Sequence, residues 1–149
     1  MKNTLVKDWM VTNVITAGPH TGMLDAHKLM RDHNIRRLPI VKKNNQLVGI
    51  VTRSDIRKAE PSEATTLNVW EMNYLLSKLQ LKDIMTKNVL TAHVNDSLKS
   101  VALKMQENKI GALPVVDDHN KVVGIITESD IFRALIAWFN EEEAAAAAA

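Results

Sequence analysis

The chain has 149 residues, 46% of them apolar, with 19 Lys/Arg against 17 Asp/Glu and no cysteine. That balance excludes a disordered chain and allows a buried core, while the missing cysteines exclude disulfides, thiolate metal sites and a thiol nucleophile. No secretory pattern opens the sequence, and no apolar run nears the ~20 residues needed to cross a bilayer; a cytoplasmic protein without membrane insertion is expected.

In chain order, KDWMVTNVITA (7–17) leads through a polar turn into a short strand over 14–17. Pro19 marks the entry to a helix on which Met23, Ala26 and Met30 share one face. Strands over 38–41 and 47–51, split by the polar turn 42–45, read as a hairpin, and a helix begins near Ser54. Pro39 suggests an edge or early strand position, because it has no N–H to donate. Gly49 inside the last strand suggests close approach by a neighbour or a ligand. The order is β-α-β-β-α.

Residues 59–80 follow, with a helix expected from Leu67 to Leu79, capped by Asn68. Trp70, Tyr74 and Leu75 could form the face of it that covers the core or a subunit seam. Then the whole pattern returns, 75 residues later and without a gap. KDIMTKNVLTA (82–92) repeats the opening, and IGALPVVDDHNKVVGIITESDI (110–131) repeats IRRLPIVKKNNQLVGIVTRSDI (35–56). Between 6–58 and 81–133, 20 of 53 positions are identical. Leu98, Val101 and Met105 form the second copy's helix face, with Asp96 or Ser97 as its cap. A unit of about 60 residues is marginal alone, so the two are expected to fold against each other. The domains are therefore expected at 1–60 and 81–140, joined by a helical linker at 61–80. The acidic and poly-Ala end, 141–149, reads as a frayed helix end or an expression remnant without function. Ile131, Leu135, Trp138 and Phe139 leave an apolar stripe on the last helix that favours a groove between the units or a second subunit.

The chemistry concentrates in a doubled G-h-h-T-x-x-D: Gly49 to Asp55 and Gly124 to Asp130. A strand running into a helix start exposes N–H groups. A threonine hydroxyl there can donate to phosphate, whereas an ionised aspartate accepts only and suits ribose hydroxyls. The plainer alternative is a capping box, in which Thr and Asp satisfy backbone donors alone. Arg36, Arg37 and Arg53 accompany the first motif, and arginine forks suit phosphate. Gly111, Ala112 and Glu128 stand in their places in the second, so unequal binding is expected. His20, His27, His33, His93 and His119 show no metal-ligand spacing and no recurrence. With no evident nucleophile or second base, neither catalysis nor a metal is expected. No nucleic-acid-binding motif is present.

The doubled I-x-x-L-P-h-V, polar turn, h-h-G-h-h-T-x-x-D resembles the CBS domain pair, or Bateman module, across nearly the whole chain. The resemblance implies an α/β (α+β) fold of two βαββα units about a pseudo-twofold, with two clefts for adenosyl ligands. It implies that Asp55 and Asp130 hold ribose, that Thr52 and Thr127 reach phosphate, and that Arg37 is a phosphate contact. Early-strand residues Ile15, Thr16, Ala17 and Leu90, Thr91, Ala92 would line the adenine pockets. Pro39, Arg53 and Pro114 complete the candidate set. AMP, ADP, ATP or S-adenosylmethionine is the implied ligand, with no obligatory cofactor. A regulatory sensor that forms a homodimer is implied, one whose ligand shifts the disposition of its units; a ligand-free dimerisation or protein-interaction module is the alternative. The 64–79 segment also resembles acetoin-utilisation B-type proteins, which often continue into an ACT domain that this sequence does not include.

Overall fold

Short runs of β-branched residues broken by asparagine turns, each flanked by an amphipathic helix, cannot bury both apolar faces unless strand and helix layers pack together. The computed structural model shows that arrangement twice and describes residues 4–62 and 66–149. Contacts divide the chain into two units. Ile15–Val89 forms the first-repeat unit, and the segment up to Val14 joins Leu90–Ala149 in the second-repeat unit.

In the first-repeat unit, helix α1 (Met23–Asp32) buries Met23, Ala26 and Met30, as its spacing requires. Strands β1 (Arg37–Lys42) and β2 (Gln46–Thr52) pair antiparallel, with Arg37 opposite Thr52 and Ile40 opposite Gly49. Asn44 and Asn45 make the connecting turn at positive φ, 64° and 63°, which asparagine tolerates better than most residues. Helix α2 (Arg53–Ala59) follows directly. Helix α3 (Val69–Lys78) is capped by Asn68, which accepts from the Glu71 N–H while Glu71 accepts from its own. The short α4 (Leu81–Ile84) closes the unit. Leu38, Ile40, Val51, Ile56 and Leu81 form the core with the α1 methionines, and Leu76 and Leu79 lie against it.

The Trp70 face does not cover that core, which leaves the other role expected of it, a subunit seam. Trp70 is 85% exposed, and Tyr74 and Leu75 also face solvent. The inward side of α3 is set instead by Leu76 and the chain just after it, which reaches α1 through the Met23 N–H and the Leu79 carbonyl, 2.9 Å apart.

In the second-repeat unit, β3 (Ala92–His93) runs parallel to β4 (Ala112–Val116), which pairs antiparallel with β5 (Val122–Thr127). Helix α5 (Leu98–Asn108) is capped by Ser97, while Asp96 instead accepts from the His93 N–H. Helix α6 (Glu128–Ala148) continues through most of the alanine tail, the strongest helix-forming sequence in the chain. Its Ala134 is buried, but Phe132, Leu135, Ile136 and Phe139 are exposed. Val6, Leu98, Val101, Leu113, Val115 and Ile126 make this core.

Each unit takes one strand-like segment from the other repeat's opening. Val11 exchanges two 2.9 Å hydrogen bonds with Ile125 on β5, and Thr86 exchanges two 3.0 Å bonds with Ile50 on β2. The recurrent glycines sit under these segments. A Cβ at Gly49 would lie 2.5 Å from Met85 Sδ, and one at Gly124 would lie 2.6 Å from Met10 Sδ and 3.0 Å from the Val11 carbonyl. The close neighbour that glycine implied is thus protein, in both copies. Contact boundaries and repeat boundaries differ accordingly: KDWM (7–10) serves the second-repeat unit, and KDIM (82–85) the first.

Candidate functional site

The strand-to-helix junction at Thr52 is a complete capping box. The Thr52 N–H donates to Asp55 Oδ2 at 2.8 Å, and the Asp55 N–H donates to Thr52 Oγ1 at 3.1 Å. The Arg53 N–H is also satisfied, by the Arg36 carbonyl at 2.8 Å. The free donors expected at this junction are therefore largely engaged within the protein, and the plainer reading of Thr-x-x-Asp holds. It does not exhaust the two side chains. Thr52 Oγ1 acts only as an acceptor, leaving its hydroxyl proton to give, and among the described residues nothing donates to Asp55 Oδ1. Both residues are half-buried, as are Arg37 and Arg53 beside them, while Arg36 is exposed. Arg37 lies opposite Thr52 across the hairpin, at the end of the sheet where Thr52 and Asp55 stand.

At the second junction the same box forms, with the Thr127 N–H 2.9 Å from Asp130 Oδ2 and the Asp130 N–H 3.4 Å from Thr127 Oγ1. Three further bonds have no counterpart in the first. The Thr127 hydroxyl lies 3.0 Å from Asp130 Oδ2, and Arg133 Nη2 donates to Asp130 Oδ1 and, at 3.4 Å, to the Trp9 carbonyl. Asp130 is consequently buried. Glu128 and Ser129, at the start of α6, are exposed, and the Gly111 carbonyl holds the Glu128 N–H as Arg36 does that of Arg53.

The early strands reach the same sheet ends. Ala17 bridges Ile40 in parallel, donating to the Pro39 carbonyl at 3.1 Å and accepting from Val41 at 2.8 Å. One step earlier, the ladder would need an N–H from Pro39, which proline lacks. Pairing therefore begins at Ala17, and Ile15 and Thr16 enter without it. Pro39 stands inside a strand paired on both sides, rather than at an edge; its nitrogen faces the point where the neighbouring strand has not begun. Pro114 and the β3 pairing of Ala92 with Val115 repeat the device, with Leu90 and Thr91 before the ladder. Here a cation not anticipated from the sequence appears: Lys104 Nζ on α5 donates to the Thr91 carbonyl at 2.7 Å. Leu29 holds the corresponding helix position in the first copy, so an alignment of the motifs alone gives no hint of it.

The histidines stay dispersed. His93 Nε2 pairs with Asp118 Oδ1 at 2.7 Å, tying β3 to the β4–β5 turn, and His20 Nδ1 lies 3.3 Å from Gln80 Oε1. In that turn the Lys121 and His119 N–H groups hold the Asp117 carboxyl below its usual range. Among the described residues no group of His, Asp and Glu could hold a metal ion. No described helix is long and apolar enough to cross a membrane.

Comparison with known proteins identifies the unit. The CBS domain model matches residues 6–62 and again 81–137. The L-aspartate semialdehyde sulfurtransferase of Methanocaldococcus jannaschii is 41% identical over 130 residues, covering 87% of this chain but 23% of that enzyme. The chain spans less than half the length of the curated relatives it matches. Among solved structures, the CBS domain pair of protein MJ0100, in complex with 5'-methylthioadenosine and S-adenosyl-L-methionine, superposes with a TM-score of 0.74. It is 40% identical, over 90% of this chain and 97% of that one. CBSX2 in complex with AMP gives a TM-score of 0.75 at 29% identity, over 90% and 97%. A Vibrio cholerae protein described as an acetoin utilization protein (AcuB) gives 0.76 at 33% identity, over 93% and 95%. The doubled motif, the βαββα order (complete in the second copy, its first strand reduced to the Ala17 bridge in the first) and these likenesses agree: this chain belongs to the CBS domain family and carries two such domains in tandem, the Bateman arrangement.

Proposed function

We propose that the chain is a regulatory module that binds an adenosyl ligand, and that the first-repeat unit holds it more tightly. The observation that carries this reading is the state of Asp55 and Thr52. One carboxylate oxygen and one hydroxyl proton remain to meet ribose and phosphate, beside Arg37 and Arg53. The complexes of the MJ0100 pair with methylthioadenosine and S-adenosylmethionine, and of CBSX2 with AMP, support the ligand class. Those cations favour a phosphorylated ligand such as AMP, ADP or ATP over a sulfonium at this site. Occupancy would act by population shift, favouring one disposition of the two domains. Among the described residues no nucleophile–base pair accompanies Asp55 or Asp130, and the reading proposed for them is binding.

The test is calorimetry on ligand-free protein with AMP, ADP, ATP and S-adenosylmethionine, for wild type, D55A, D55N and D130N. Asn at 55 keeps an acceptor for the Thr52 N–H but loses the carboxylate. We expect D55N and D55A to weaken binding about tenfold or more, the loss of a charge-assisted hydrogen bond, and D130N to weaken it less. Absence of heat and of thermal shift with all four ligands would discard the adenosyl reading.

A second reading is favoured by one feature. Phe132, Ile136 and Phe139 leave an apolar stripe exposed on α6, as a protein-interaction or homodimer module would require. Sedimentation of wild type and of Ile136→Glu distinguishes a dimer through this stripe from a monomer.

A further inference from the structure

We infer that Arg133 is a built-in cover on Asp130, one that sets the order in which the two Thr–Asp sites fill. The inference rests on the adenosyl-ligand reading above and goes beyond it. Asp130 and Asp55 are equivalent in sequence and share the same capping box, yet only Asp130 has its second oxygen occupied. Arg133 is three residues on, one helical turn away, and its guanidinium meets Asp130 Oδ1 and the Trp9 carbonyl together. The Asp130 side chain is left 5% exposed, while the Arg133 side chain remains 59% exposed. A solvated arginine at a surface is held weakly and can swing away. The arrangement is therefore a displaceable cover rather than a structural lock.

The corresponding residue in the first copy is Lys58, which is exposed and pairs with no acidic group among the described residues. Its four-carbon stem ends in a point charge without the planar fork. The place of Trp9 is taken by Ile84 in the first-repeat unit. The sequence thus carries a cover in one copy and omits it in the other. A ribose arriving at Asp130 must displace the guanidinium or share the oxygen with it, whereas one arriving at Asp55 meets an open acceptor. The absence of Arg36, Arg37 and Arg53 equivalents weakens the second site for phosphates. Arg133 weakens it for every adenosyl ligand, charged or not.

Adenosine is the probe that separates these effects, because it has ribose and no phosphate. Calorimetric titrations would compare wild type, D55N, D55N/R133M and D55N/D130N. The D55N background leaves Asp130 as the carboxylate to be read. D55N/R133M is expected to bind adenosine about two- to fivefold more tightly than D55N, the scale of an exposed ion pair removed. D55N/D130N should lose that binding. In the opposite direction, Lys58→Arg in the wild type should weaken adenosine binding, which a merely structural role for Arg133 would not produce. Equal or weaker binding by D55N/R133M overturns the cover while leaving the adenosyl reading intact. Silence from every variant, wild type included, with AMP as well as adenosine, overturns both.

Discussion

The two Thr–Asp sites differ in what is left over once the backbone has been satisfied. In the first-repeat unit the capping box uses one oxygen of Asp55 and the lone pairs of Thr52, and a proton and an oxygen remain. In the second-repeat unit the Thr127 hydroxyl turns onto Asp130 and Arg133 takes the remaining oxygen. Capping and ligand binding are thus not rival explanations of the motif. A carboxylate has about four lone-pair sites, so one residue can start a helix and still bind a ligand. On the reading proposed above, whether it does would depend on a neighbour one turn along the helix. Internal duplication fixes the scaffold, and single substitutions around it decide which copy is open.

Three pairs of substitutions test how far the sameness of the units extends. Gly49→Ala and Gly124→Ala should cost the most, about 1–3 kcal/mol each from overpacking, because the added methyl meets Met85 or Met10 and a backbone carbonyl at 3.1 or 3.0 Å. Urea unfolding of each variant would measure it, and a loss confined to one glycine would show that only one unit is tightly clamped. Next, Thr52→Val should remove a helix cap worth about 1 kcal/mol. Thr127→Val should cost more than that, since its hydroxyl also donates to a buried carboxylate. Equal losses in thermal melts would remove the hydroxyl contrast between the sites. The smallest effect concerns helix ends. Asn34 and Lys109 sit at matching positions with φ of 50° and 53°, where α1 and α5 turn out of the helix. Lys109→Gly should stabilise by up to about 1 kcal/mol, and Asn34→Gly by less, because asparagine tolerates this conformation and lysine does not.

Much of this was legible in the order of residues. The 75-residue repeat gave the βαββα unit, Asn68 and Ser97 marked their helix starts, and the motif placed Thr52, Asp55, Thr127 and Asp130 at strand-to-helix junctions. What stayed hidden depends on choices among equivalent-looking options. An arginine three residues after an aspartate is usually a solvated pair, and only its reach to the Trp9 carbonyl marks Arg133 as different. Lys104 on α5 meets the Thr91 carbonyl just ahead of β3, a tertiary fact without local signal. The sequence left the aromatic face of α3 between core and subunit seam, and the core was excluded only once Leu76 and Leu79 were seen to fill the inward side.

The exchanged opening segments also carry a consequence for the timing of assembly. Ile15–Val89 is contiguous, so its unit has every strand and helix it needs once residue 89 has been synthesised. In the other unit Val6 and Lys7 find their partners at Asp96 and Val94, but Val11 must wait for Ile125, 114 positions later. Closing so long a loop slows folding more than it weakens the product. Domains made on the ribosome tend to fold from the N-terminus onward, yet here a segment made earlier than the whole first-repeat unit would find its strand partner later than that unit does. The unit with the open aspartate would then be finished while the covered one was still waiting for its ends to meet.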